Sequence, residues 1–464
     1  MADSPCLAEL PYPGDGSRLF EPVAHWPWSV FLDSGPAEQR HGRYDIIAAN
    51  PVSVLLTRGG LTEIRHGRDA VLSGNDPLRL LATEMGPIGE TPESLPLAGG
   101  AIGYFAYDLA HRLERHPRQA QGPDGMPEMA VGLYDWVIVV DHEERQAWLA
   151  GQGRNPETKR LWPELLRLFS RPNPVFPRTG FRLNSDLRSA IDGDGYRALR
   201  DQCMWHLETG ECQHLTLTRY FSAAVSGDPW GAYKRMRALN PVEFGAFLQL
   251  PHCAVLCNSS ERFQQLIDGH VEAWAVAGSR ARSDDQRLDR ELARSLRRSP
   301  AHLAYSRLQT TLLSGELAQC CIEESIRRNA PLELHSSSHS HHLLKRIAAE
   351  LRSTRSALDL LRHCFPAISV TGSPRLRAMQ IIDELESHRR GIYGGAIGYL
   401  GYNGNMDMNM ALNTAVQMGG NLRLWACSQL ITGFQSGEDE QETAEAARTL
   451  IQRMASRRTR HANH

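Results

Sequence analysis

The stretch Gly99-Gly100-Ala101-Ile102-Gly103-Tyr104-Phe105-Ala106-Tyr107 recurs almost unchanged as Gly394-Gly395-Ala396-Ile397-Gly398-Tyr399-Leu400-Gly401-Tyr402. Neither copy carries a charge, and the glycines leave room for a neighbouring backbone, as in buried strands. Two explanations stand side by side. Each strand needs small residues for close approach, or an ancient duplication placed equivalent strands in two paired sheets. Outward from the first copy, residues 1–150 hold short apolar runs between Gly and Pro turns: Ser29–Leu32, Ser53–Leu56 and Trp136–Val140.

Towards the second copy the pattern mixes periods. Tyr196, Leu199, Cys203 and Leu207 share a helix face that Gly210 is placed to end. Leu343, Leu344, Ile347 and Leu351 form a second apolar stripe of that kind, Leu376, Met379, Ile382 and Leu385 a third behind the Thr371–Pro374 start signal, and Ala447, Leu450 and Met454 a last one after Glu438. Gly245–Leu250 and Cys253–Cys257 read as a hairpin about Pro251-His252. Met408–Val416 alternates as a strand, and Gly419-Gly420 turns it into Leu422–Ile431. Strands mixed with segregated helices give an α+β class. Residues 171–188, polar and proline-bearing, divide an N-terminal region (1–170) from a second one (189–456), with a disordered tail at 457–464.

Composition removes several function classes. The 464 residues carry 51 Lys+Arg against 53 Asp+Glu, a net charge of −2, which leaves no electrostatic case for nucleic acid or acidic membranes. No apolar run is long enough to span a bilayer and no signal peptide is visible. The nine cysteines form no C-x-x-C pair and read as reduced thiols of a cytoplasmic protein. The three lysines are Lys159, Lys234 and Lys345, so nearly all positive charge is arginine.

The segments Thr371–Glu386 and Arg390–Tyr399 closely resemble the chorismate-utilising enzymes, which include anthranilate synthase component I, isochorismate synthase and aminodeoxychorismate synthase component I. Leu32-Asp33-Ser34, Gly42-Arg43-Tyr44, Gly99–Leu109, Asn240-Pro241, Ser259–Phe263, His341-His342-Leu343, Gly404–Asp407 and Gln441-Glu442-Thr443 extend the likeness over roughly residues 10–455. The N-terminal half and the Glu442 region look most like the aminodeoxychorismate synthase branch. The resemblance implies two packed antiparallel β-sheets with helices on the outside. It implies chorismate as substrate, Mg²⁺ held by glutamates of two helices, a glutaminase subunit as partner and, in some members, a lysine that attacks the ring covalently.

Carried over position by position, that chemistry is largely replaced. The proton-donor glutamate matches Glu261, behind Ser260 where the family has proline, and His342 and Tyr393 are kept. The nucleophilic lysine falls on Ala277, followed by Gly278 and Ser279. The first metal pair falls on His302 and Tyr305, and a phenol is a poor ligand for a hard cation. The second falls on Asp439 and Glu442, which share one helix face. They read equally as acidic first-turn residues favoured by the helix dipole. The carboxylate-binding arginine matches Asn413, which lacks both the charge and the fork. The glycine-rich loop reads Ala426-Cys427-Ser428-Gln429, with Cys427 and Gln429 as replaced contacts. Gln213-His214-Leu215-Thr216-Leu217 stands for Tyr-Gln-Val-Asn-Leu, and Ala367-Ile368-Ser369 for Gly-Gly-Ser. A tryptophan pocket would use Ser34, Pro241 and Phe244, with Glu243 where proline is usual and a poorly solvated carboxylate the result.

Replacements thus concentrate where substrate or metal would bind, and the sequence points to a folded homologue with a dismantled site. Two alternatives are an active chorismate-aminating enzyme using His302 or His214, and a non-catalytic binding partner of a glutaminase subunit. His335, His339, His341 and His342 read as a solvated cluster that binds metal only adventitiously.

Overall fold

The computed structural model describes residues 6–36, 42–92, 95–114, 125–171, 179–283, 285–336, 340–432 and 439–455, without the side chains of Ala281, Asp439, Glu440 and Glu442. Among these residues the strands form two antiparallel sheets, of thirteen and eleven strands. The space between the sheets is filled from both: Val30, Ile46, Val139 and Leu248 of the larger meet Ile102, Tyr104 and Ile397 of the smaller. Helices cover the outer faces. Leu165, Trp230 and Leu450 pack on the larger sheet, and Leu78, Leu317, Leu360 and Met379 on the smaller. This is the α+β architecture of two packed antiparallel sheets with helices outside.

The glycine repeat supplies neighbouring strands of one sheet, not equivalent strands of two. Gly100–Phe105 runs antiparallel to Ala396–Gly401, with Gly103 opposite Gly398. A Cβ on Gly103 would lie 2.1 Å from the Ala130 carbonyl oxygen, and one on Gly398 2.0 Å from that of Asp407. The small residues are therefore required by close backbone approach. Both sheets draw strands from either side of residues 171–188: Ser29–Asp33 pairs with Phe244–Gln249 in the larger one. Within 171–188, residues 172–178 lie outside the described residues, while Arg182–Leu183 pairs with the strand His214–Ser226. The tail 457–464 also lies outside them.

Most expected elements form: the helices Gly193–Glu208, Arg375–Leu385 and Asp439–Met454, the Phe244–Gln249/Cys253–Ser259 hairpin, and the turn at Gly419 and Gly420, both at positive φ. Helix Arg375–Leu385 takes Pro374 as its N-cap without a side-chain cap, and the Thr371 hydroxyl donates instead to the Ala367 carbonyl. Two readings are corrected. The stripe is not helical: Leu343, Leu344 and Ile347 lie along the strand Ser340–Glu350, paired with His270–Ala281, and Leu351 just past its end bridges Cys321. Apolar residues at spacings of one, three and four suit a strand buried on both faces as well as a helix. Met408–Val416 is not one strand but parts of two. Met406–Met410 belongs to the smaller sheet and Thr414–Met418 to the larger, and the chain crosses between them at Asn413, φ 48°.

Candidate functional site

Four elements bring the expected site residues together. Glu261 stands at the start of the strand Arg262–Ile267, and its carbonyl accepts from Met410 N–H. His342 lies on Ser340–Glu350, opposite Ser279. A bulge at Ala277 shifts the register of the neighbouring strand between Val276 and Gly278. Helix Pro300–Leu317, capped by Ser299, lays His302 and Tyr305 across that strand. A Cβ at Gly278 would meet His302 Nδ1 at 2.4 Å, so only glycine admits the imidazole there.

On the side that the resemblance assigns to metal and carboxylate, the replaced residues bond to one another. The Tyr305 phenol is 1% exposed and lies 3.0 Å from His214 Nε2, and Gln309 donates to the phenol oxygen. Thr216 Oγ1 is 3.2 Å from the same imidazole nitrogen and donates to the Ser369 carbonyl at 2.8 Å. Gln429, opposite Thr216 on the adjacent strand, donates to that carbonyl at 3.2 Å. Ala277, Leu296 and Leu343 pack around Tyr305. Burial without a charged partner pushes His214 down to about 3, which keeps it neutral. His302 turns Nδ1 towards the Ala277 carbonyl at 3.1 Å, and burial lowers its pKa too.

Beneath this cluster lies a buried ion pair that the sequence reading missed. Arg390, 2% exposed, is held by Glu386 at both Nε (2.8 Å) and Nη2 (2.6 Å), and it donates to the carbonyls of Val370 and Thr216. Glu386 accepts in turn from Thr218 N–H at 2.7 Å. The signal was available: both residues fall in or beside the quoted stretches 371–386 and 390–399.

The other side is built differently. Glu261 is half-buried, and burial raises its carboxyl to about 7. His342 is 7% exposed and burial lowers it to about 4. Its Nε2 meets Ser340 Oγ at 2.7 Å and Ser260 Oγ at 3.2 Å, while Nδ1 faces Glu261 Oε1 at 3.9 Å and makes no hydrogen bond among the described residues. Tyr393 is buried and hydrogen-bonds Cys427, which raises the phenol further.

The remaining positions disperse. Asn413 is exposed at its turn, its carbonyl accepting from Asn258 N–H. Gln429 is exposed on its strand. Asp439 and Glu442 open helix Asp439–Met454, but their side chains lie outside the described residues. The first metal pair, a phenol closed against His214 and an imidazole turned to a backbone carbonyl, does not fit a hard divalent cation that requires carboxylate oxygen. The expected solvated histidine cluster is corrected as well. His335 and His342 are cross-strand partners, His335 Nε2 lies 2.7 Å from Glu243, and His341 Nε2 lies 3.1 Å from Asp289. Strand pairing turns these side chains inward, and His339 lies outside the described residues.

Ser34 and Phe244 do share a cavity, of about 410 Å³, with Glu243, Arg262 and Asp407, while Pro241 is buried outside its lining. Ser34 is committed to Asp45 through N–H and hydroxyl (2.8 and 2.7 Å). Phe244 lies under the Arg262 guanidinium, and Glu243 Oε1 lies 2.7 Å from His335 Nε2.

Comparison with known proteins matches residues 29–452 to the chorismate binding enzyme family. The aminodeoxychorismate synthase component 1 of Klebsiella aerogenes is 33% identical, over 98% of this chain and all of the relative. That of Salmonella typhimurium is 34% identical over 97% and 98%. Among solved structures, anthranilate synthase component I from Streptococcus pneumoniae superposes with a TM-score of 0.78 at 24% identity, covering 88% of this chain and 92% of its own.

Proposed function

The chain belongs to the chorismate binding enzyme family, and on that premise we propose that it is a folded homologue of aminodeoxychorismate synthase component 1 that does not aminate chorismate. One observation carries the reading: Tyr305, at the position of a metal-binding glutamate, is buried and hydrogen-bonded to His214, another replaced position. Forming a Mg²⁺ site there requires breaking that bond and supplying carboxylates the chain lacks. With no lysine at Ala277 and no arginine at Asn413, the ring has neither the covalent nucleophile nor the charge that fixes a carboxylate. Glu261 remains suited to give a proton near neutral pH, but a lone acid accounts for only about 10²–10⁴ in rate.

The alternative that routes catalysis through His302 or His214 is disfavoured by the bonds each imidazole already makes. Docking of a glutaminase subunit remains compatible with the preserved scaffold. The test is purified chain with chorismate, Mg²⁺ and concentrated ammonium salt, followed by mass spectrometry, on protein shown by circular dichroism to be folded. The expected result is chorismate recovered unchanged. Metal-dependent formation of aminodeoxychorismate or anthranilate overturns the proposal.

A further inference from the structure

The pair the chain retains, Glu261 and His342, stands beside a hydroxyl, Ser260, where the resemblance has proline, and we propose that Ser260, His342 and Glu261 form a nucleophile–base–carboxylate relay for acyl transfer from a small activated ester. The relay rests on direction as well as distance. Nucleophilic hydroxyls need a neutral imidazole nitrogen within hydrogen-bond reach and a third group behind the ring. Ser260 Oγ lies 3.2 Å from His342 Nε2. In the tautomer the relay requires, the ring proton is on Nδ1, which faces Glu261 Oε1 at 3.9 Å, and Nε2 is the acceptor. That nitrogen is buried without a hydrogen-bond partner among the described residues and is turned towards the Glu261 carboxyl, whose ionised form is the one that serves the relay.

Ser340 reaches the same Nε2 at 2.7 Å. It sits two residues before His342 on one strand, so the pleat alone puts its hydroxyl on that face. Ser260 has no such explanation: it comes from the segment before a different strand, 82 residues away, and it replaces the motif's proline. It is also half-buried, which leaves the hydroxyl within reach of a ligand. Nε2 has one lone pair and accepts one hydroxyl proton at a time, so Ser260 is assigned as the nucleophile when its hydroxyl holds that nitrogen, and Ser340 as the donor that competes for it.

The step balances within these groups. Ser260 Oγ bonds to the acyl carbon as its proton passes to His342 Nε2. The ester's C–O bond to the leaving alcohol then breaks, and the alcohol takes that proton. Water repeats the sequence through the same nitrogen to release the acid and restore the hydroxyl.

The test treats the full chain with diisopropyl fluorophosphate, reads adducts by intact mass and peptide mapping, and follows p-nitrophenyl butyrate hydrolysis in parallel. The expected result is a single adduct on Ser260, with labelling and hydrolysis lowered about 10²-fold or more in both S260A and H342Q and the adduct still on Ser260 in S340A. Thermal melts show whether each variant is folded, and S260A, a small change at a half-buried position, keeps the test valid even if H342Q unfolds. No adduct on folded protein, an adduct on another residue, or labelling that survives H342Q overturns the assignment. Neither chorismate nor Mg²⁺ enters this assay, so its failure leaves the proposal on chorismate standing, and chorismate turnover would not rescue this one.

Discussion

The two sides of the candidate site differ in how their polar groups are bonded. On the side of Tyr305, His214, Thr216 and Gln429, the side chains bond one another or the Ser369 carbonyl, and His214 Nδ1 alone of their ring and hydroxyl groups is buried without a hydrogen bond among the described residues. On the side of Glu261 and His342, the imidazole Nδ1 is likewise buried without a hydrogen bond among the described residues, but here it faces a titratable carboxyl at 3.9 Å. A buried polar cluster is favourable only when its members are satisfied. Around Tyr305, His214 and Thr216 the first side is therefore core with its hydroxyls and phenol occupied, Gln429 closing it from an exposed position, while the second keeps a carboxyl and an imidazole facing each other. Replaced positions in a family motif thus carry different meanings according to whether they satisfy one another.

Titration separates the sides most strongly. His214 is held near 3 in the fold against 6.5 in an unfolded chain. As pH falls through 6.5 the unfolded state gains a proton that the folded state refuses, so stability is lost down to pH about 3, by up to about 5 kcal/mol. Glu261 is raised from 4.5 to about 7. The folded state keeps its proton while the unfolded state loses it as pH rises from 4.5 to 7, which removes up to roughly 3 kcal/mol. Between pH 4.5 and 6.5 the slopes oppose. Relative to the parent, urea denaturation across this range should show H214Q losing stability more as pH rises and E261Q losing it less. Parallel curves for both variants would erase the distinction between the sides.

The next test asks what holds the closed side in place. Arg390 and Glu386 brace the strand that carries His214 and Thr216 through the Thr216 carbonyl and the Thr218 N–H. Arg390→Met keeps the apolar stem but leaves Glu386 a buried, unpaired carboxylate, and should cost about 3–5 kcal/mol in urea denaturation. A loss below 1 kcal/mol would mean that the cluster holds its shape without the pair.

Much of this was legible in the sequence, and the gaps have causes. The motif around Glu261, the Ala277 and Tyr305 replacements, and the helices at 193–208 and 375–385 could be read because their signals are local. Leu343–Leu351 could not be assigned, because a strand buried on both faces and a helix stripe share that apolar spacing. The crossing at Asn413 was hidden because alternation continues through it while one positive φ sends the chain to the other sheet. Least legible were the compensating bonds: His214 and Tyr305 lie 91 residues apart, and no period or motif couples them. The twin glycines at 103 and 398 announced close packing, but their being opposite each other follows only from register.

The smallest effects decide whether the closed side is one network or several separate bonds. Tyr305→Phe removes a buried phenol that bonds both His214 and Gln309, and should cost about 1–3 kcal/mol. Gln429→Gly restores the family's glycine at an exposed strand position and removes one neutral bond to the Ser369 carbonyl. That loss, with the entropy of glycine in a strand, comes to about 1 kcal/mol. Thr216 and Gln429 share that acceptor, so the order of coupling can be measured. In a double-mutant cycle by urea denaturation, Tyr305→Phe and Gln429→Gly should show an interaction of about 0.5 kcal/mol or more if the network runs from His214 through Thr216 to Ser369. Strict additivity would confine the closed side to Tyr305, His214 and Gln309, and leave the old glycine loop as a separate change.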